Sequence, residues 1–153
     1  MKITDIFREE HILERLQSKT KGDVLAELSG VILHGDTHIR HEAVVNILLE
    51  REKLGSTGIG DGIAIPHGKI ANLDKLIVSF GRSIEGVEFD AMDSKPAHLF
   101  FLLLAPENTT GQHLKALAKI SKMLKDNAFR KMLMEAKSKN ELYTIIADKD
   151  DAC

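Results

Sequence analysis

The sequence of 153 residues has one cysteine, three prolines, little net charge and no long apolar run. A single cysteine closes no internal disulfide, and Cys153, which follows Asp148-Lys-Asp-Asp-Ala, reads as a frayed, reduced thiol rather than a nucleophile. The formal net charge of −2 leaves no basic excess to neutralise nucleic-acid phosphates or anionic lipid, so neither is expected as a partner. Met1-Lys-Ile-Thr-Asp-Ile-Phe-Arg-Glu-Glu meets charge before a signal-peptide core forms, and no stretch approaches bilayer-spanning length. A cytoplasmic protein without stable membrane insertion is expected. No internal repeat, low-complexity segment or linker interrupts the chain. With 43% hydrophobic residues it can bury one substantial core without metal or disulfide staples, and it reads as a single domain over residues 1–153.

Apolar residues at Val24, Leu25, Leu28, Val31 and Ile32 have the three-four spacing of a helix with one buried face. A second helix is expected from about Ile39 to Lys53, burying Ala43, Val44, Ile47 and Leu48. Ile63-Ala-Ile, Leu76-Ile-Val-Ser-Phe80 and His98-Leu-Phe-Phe-Leu-Leu-Leu-Ala105 read as strands, the last apolar on both faces and therefore central. Ile84-Glu-Gly-Val-Glu-Phe-Asp90 alternates like a surface hairpin element. Helices are expected over Gln112–Lys125, Ala128–Ala136 and Asn140–Ala147. This order predicts an α/β (α+β) domain, a mixed β-sheet flanked by helices.

The stretch Gly55-Ser-Thr-Gly-Ile-Gly-Asp-Gly-Ile-Ala-Ile-Pro-His-Gly-Lys69 invites a nucleotide-binding reading, and its spacing rejects one. A P-loop ending at Gly68-Lys69 would need glycine where Ile63 stands and a hydroxyl where Ile70 stands. Gly58-Ile-Gly60-Asp-Gly62 is one residue short of a dinucleotide fingerprint, and a helix precedes it where a strand should. What remains is a loop feeding a short strand whose end is fixed by Pro66, pinned in φ, and crowned by His67. Histidine is substantially neutral, and so nucleophilic, near pH 7 and suits phosphoryl acceptance. It can equally close a strand end with hydrogen bonds.

A phosphoryl group would need cations and donors around it. Arg51 continues the Val44, Ile47, Leu48 stripe of the second helix and is expected along its inward face, or else snorkelling to water. Thr109-Thr-Gly-Gln112 reads as a capping box that places His113 in the first turn of the next helix, where N–H groups attract phosphate oxygens. Alternatively, His113 is a surface residue beside Lys115, Lys119 and Lys122. His34, His38 and His41 lack the spacing of a zincin motif and lie largely in a polar loop, so no metal site is assigned.

Arg51-Glu-Lys-Leu-Gly followed by Ser56-Thr-Gly-Ile-Gly-Asp-Gly-Ile-Ala-Ile-Pro-His67 closely resembles the active-site signature of the fructose/mannitol-type enzyme IIA proteins of the bacterial phosphotransferase system. The resemblance extends through Phe89-Asp-Ala-Met-Asp, Leu99-Phe-Phe-Leu-Leu-Leu-Ala-Pro106, Gln112-His-Leu and Glu141-Leu-Tyr-Thr-Ile-Ile, covering most of the chain. It implies a type-2 IIA domain in which His67 accepts a phosphoryl group from the phosphohistidine of HPr or its nitrogen-branch counterpart. His113 would steady that group and Arg51 would neutralise its charge, with no cofactor required. It also implies a shallow apolar depression around His67 where the carrier docks, and the glycines before it read as clearance. Asp61 departs from the amide that many members carry there, and is expected to face solvent.

The stand-alone length, with Arg51-Glu-Lys-Leu-Gly-Ser-Thr-Gly and Phe89-Asp-Ala-Met-Asp, is most similar to the nitrogen-regulatory branch, whose members bind target proteins according to phosphorylation state. The alternative is a free-standing sugar IIA that passes the group to a separate IIB cysteine. A degenerate binding module is disfavoured by the intact His67, Arg51 and His113.

Overall fold

Residues 97–106, the most apolar run of the chain, form the central strand of the molecule. In the computed structural model, which describes residues 1–33, 38–109 and 111–153, two 3₁₀ turns (Ile3–Asp5 and Glu9–His11) lead into β1 (Ile12–Leu13), α1 (Lys21–Leu33) and α2 (His41–Lys53). There follow β2 (Gly58–Gly60), β3 (Ile63–Ala64), β4 (His67–Ile70), β5 (Ile77–Val87) and β6 (Ala97–Pro106). The chain closes with α3 (Gln112–Leu124), α4 (Asn127–Glu135) and α5 (Lys139–Ala152). The sheet order is β1-β5-β6-β3-β2, with β4 beside β6. Pairing is mixed: β1 runs parallel to β5, β3 and β4 parallel to β6, and β5 antiparallel to β6.

Alternation along β6 builds two cores. Leu99, Phe101, Leu103 and Ala105 face α3, α4 and α5, and Phe100, Leu102 and Leu104 face α1 and α2. A strand covered by helices on both faces carries no polar alternation, as its sequence predicts. Burial of such a side chain contributes about 2 kcal/mol, so this one strand is a large part of what drives folding.

Several expectations change. The segments around Leu76–Phe80 and Ile84–Asp90 form one strand, β5, with a register shift between Arg82 and Val87, followed by the buried Phe89. The shift, a bulge-type irregularity, produced the apparent break in pattern. α2 turns Val44, Leu48 and Glu52 inward, while Ala43 and Ile47 are exposed. α5 runs on to Ala152 because the buried Asp150 anchors it, accepting the Ile3 and Thr4 N–H groups at 3.0 and 3.1 Å and pairing with Lys119 at 2.6 Å. β1 and β2 are too short for a periodic signal. His34 lies outside the described residues. The exposed His41 packs α2 on α1, its Nε2 donating to the Ala26 carbonyl at 2.9 Å with Ser29 Oγ 3.0 Å away.

Candidate active site

His67 does not end its strand. β3 and β4 pair with β6 in one continuous register, Ile63 with Leu99 and His67 with Leu103, so Pro66 interrupts the strand without ending it. Pro66 has no N–H to give, but its carbonyl accepts the Leu103 N–H at 3.0 Å, and pairing resumes at His67. The alternation that buries Ile63, Ile65 and Leu103 beneath α3 also points the half-buried His67 to that side. Its Nδ1 is 2.9 Å from the Ile65 carbonyl. A carbonyl oxygen only accepts, so Nδ1 carries the proton and the neutral ring keeps its lone pair on Nε2.

The cavity beside this ring has a volume of about 380 Å³ and opens at the sheet edge between α2 and α3. Arg51, His67 and His113 all line it, with Lys69 and the apolar Ile47, Leu103, Leu114 and Leu117. The three residues singled out from sequence therefore converge. Arg51 is half-buried in the last turn of α2, its Nη1 donating to the Gly55 carbonyl at 2.8 Å, and it has no carboxylate partner among the described residues. It reaches the site from the flank of α2, because the inward position belongs to Glu52.

His113 is in the first turn of α3, as expected, but no capping box places it there. The N-cap is Gly111, at φ 89°, with no side-chain cap, and Thr110 lies outside the described residues. The His113 Nδ1 is buried and lacks a hydrogen-bond partner among the described residues. Burial, then the charge of Lys69 and the neighbouring His67, holds its pKa below the ordinary imidazole value. Its ring is therefore neutral near pH 7, with an unsatisfied nitrogen whose burial is costly unless a polar group meets it.

Lys69 was missed, although strand alternation places residue i+2 on the face of His67. The glycines have uses other than clearance. A Cβ on Gly68 would lie 3.3 Å from Ile47 and 3.4 Å from Leu48, so its absence lets α2 approach β4. Gly60 pairs with Ile63, leaving Asp61 and Gly62 as a two-residue hairpin loop at φ 57° and 76°. Both angles are positive, as a type I′ turn requires, and Asp-Gly is a favoured pair there. Asp61 is exposed, and Ile63, at the end of its loop, is about 13 Å along the strand from His67.

Two imidazoles, a guanidinium without a carboxylate partner among the described residues and an ammonium around an apolar floor form a pocket suited to a transferable anion. Residues 5–149 match the family described as phosphoenolpyruvate-dependent sugar phosphotransferase system, EIIA 2. The chain belongs to this family. It is thus a phosphotransferase component of that system. It is 41% identical over 147 residues to a nitrogen regulatory protein of Bradyrhizobium diazoefficiens, covering 96% of this chain and 95% of that one. It is 39% identical over 150 residues to the fructose-specific EIIABC component of Bacillus subtilis, covering 98% of this chain and 24% of that one. The crystal structure of nitrogen regulatory protein IIA-Ntr from Neisseria meningitidis superposes with a TM-score of 0.87 at 39% identity, covering 94% of this chain and 98% of that one. The mixed sheet flanked by helices is therefore the enzyme IIA fructose/mannitol-type fold. Among the described residues no helix is long and apolar enough to cross a membrane.

Proposed function

We propose that the protein is a cytoplasmic phosphocarrier of the nitrogen-regulatory branch, a single IIA unit phosphorylated on His67 Nε2 by an HPr-like carrier. The observation that carries this reading is the Nδ1–H bond to the Ile65 carbonyl, which leaves Nε2 as the nucleophile beside Arg51, Lys69 and His113. The Nε2 lone pair attacks the phosphorus of the donor's phosphohistidine. The donor P–N bond breaks, its electron pair returns to the donor ring, and a new P–N bond forms with no water consumed. As His67 gains positive character, its Nδ1–H bond to the carbonyl strengthens. The phosphoryl group brings about two negative charges. Arg51 and Lys69 offset them, and the buried His113 nitrogen gains a partner. Leu114, 61% exposed, with Ile47 and Leu117, offers the carrier an apolar landing surface beside the Arg51 and Lys69 cations.

The nitrogen-regulatory assignment is supported by similarity to proteins of that name over nearly the whole chain. Its output would be binding of target proteins according to phosphorylation state. The second reading, onward transfer to a IIB cysteine, is favoured by the similar identity to a fructose-specific component.

The test is incubation with phosphoenolpyruvate, enzyme I and an HPr-like carrier, followed by intact-mass measurement. One acid-labile phosphoryl adduct is expected on the wild type and none on His67→Ala. Wild-type protein that stays unmodified beside a charged carrier overturns the proposal. Rapid transfer to a IIB domain would move the assignment to the sugar branch.

A further inference from the structure

Resting on the reading of His67 as phosphoryl acceptor, we infer that Glu52 is a positioning residue for the transfer, acting through Arg51. Glu52 is 7% exposed at the end of α2, a place where a carboxylate opposes the helix dipole. Its carboxylate accepts the Thr57 N–H at 3.2 Å and the Thr57 hydroxyl, and lies 3.2 Å from Lys21 Nζ. Lys21 also lies 3.2 Å from Asp90 and sits over the Phe89 ring, 4.7 Å from its centroid. Burying such a pair carries a desolvation penalty, and apolar replacements are often no less stable, so stability is a weak reason for it. A fixed register is a better one.

The register in question is that of the turn after α2. The Gly55 N–H donates to the Glu52 carbonyl at 3.1 Å, and the Gly55 carbonyl accepts from the Arg51 guanidinium at 2.8 Å. Thr57, gripped by the Glu52 side chain, accepts the Ile65 N–H on its carbonyl at 3.0 Å. Ile65 is in turn the residue whose carbonyl orients His67. The turn that seats Arg51 is thereby registered against the strand that carries His67. Glu52, facing away from the cavity, ties both to α1.

The test measures single-turnover phosphoryl transfer from the charged carrier against carrier concentration, in wild type, Glu52→Gln, Arg51→Ala and the double variant. Glu52→Gln keeps the shape and loses the charge that holds Lys21. Its maximal rate is expected to fall about tenfold, as misplacement of one charge-stabilising group would produce, with half-saturation unchanged because the docking surface is intact. In the Arg51→Ala background the same substitution should slow transfer by no more than about twofold, since residues acting as one unit are non-additive. Should Glu52→Gln fail to fold, Thr57→Val, which removes the gripped hydroxyl and keeps the ion pair, carries the same expectation. An unchanged maximal rate, or an equal slowing with and without Arg51, overturns the inference while leaving the phosphocarrier reading intact. Wild-type protein that takes no phosphoryl group overturns both.

Discussion

The ring Nδ1 of His67 lies 2.9 Å from the carbonyl oxygen of Ile65, two residues earlier in the chain. Under the proposed transfer this contact leaves Nε2 as the nitrogen free to react, because the proton it requires on Nδ1 removes that atom as a nucleophile. The phosphorylated protein should show phosphorus–nitrogen coupling to Nε2 of His67 in heteronuclear NMR. Coupling to Nδ1 would show that the Ile65 contact breaks before reaction.

His113 should titrate below the ordinary value of about 6.5, for burial first and the Lys69 charge second. With a depressed folded-state value, its contribution to stability is complete above about 6.5 and declines as pH falls toward that value, where the unfolded chain binds the extra proton. Lys69→Met should raise the His113 pKa part of the way back, measured by an NMR titration of the ring protons. No movement would mean that burial and the neighbouring His67 account for the shift.

Asp150 joins the N-terminal segment, α3 and α5 through Ile3, Thr4 and Lys119. Burial acts to raise its pKa, but the Lys119 ammonium and the Ile3 and Thr4 N–H groups outweigh it and hold the carboxyl below its usual range. Its stabilisation is therefore present above about pH 4 and lost as pH falls through the lower folded-state value. Asp150→Ala, which removes the carboxylate partner of Lys119 and leaves its Nζ the Met1 carbonyl at 2.6 Å, should cost about 3–5 kcal/mol in urea unfolding at pH 7. A loss below about 1 kcal/mol would show that the anchor is dispensable.

Asp61→Asn should leave stability within about 0.5 kcal/mol, because asparagine also tolerates positive φ in an I′ turn. Asp61→Val should cost about 1–2 kcal/mol by thermal denaturation, because a β-branched residue resists that conformation. In the folded fraction both variants should accept a phosphoryl group at the wild-type rate. Slowed acceptance by Asp61→Asn would place this residue in the site after all.

Local chemistry made much of the molecule readable in advance. The doubly apolar run at residues 98–105 marked the central strand because burial on both faces removes alternation. Ile65-Pro66-His67, with Arg51 and His113, marked the candidate site from residue chemistry, and Arg51, His67 and His113 line one cavity. Two local signals were present and unread: Asp61-Gly62 as a hairpin turn, and Lys69 on the face of His67. Beyond these, single-sequence reading lacked the partners. Whether Pro66 ends a strand depends on β6 supplying Leu103 as its neighbour, and how far α5 runs depends on what Asp150 meets at Ile3 and Lys119. The sequence alone determined the periodicities, the signature and the chemical identity of the candidate groups, since these are local. Only tertiary structure decided that the buried His113 Nδ1 meets no hydrogen-bond partner among the described residues, that Glu52 rather than Arg51 turns inward, and that a carbonyl two residues away engages Nδ1 of His67. Burial and hydrogen bonding depend on what the rest of the chain brings alongside, and that is set by the whole fold.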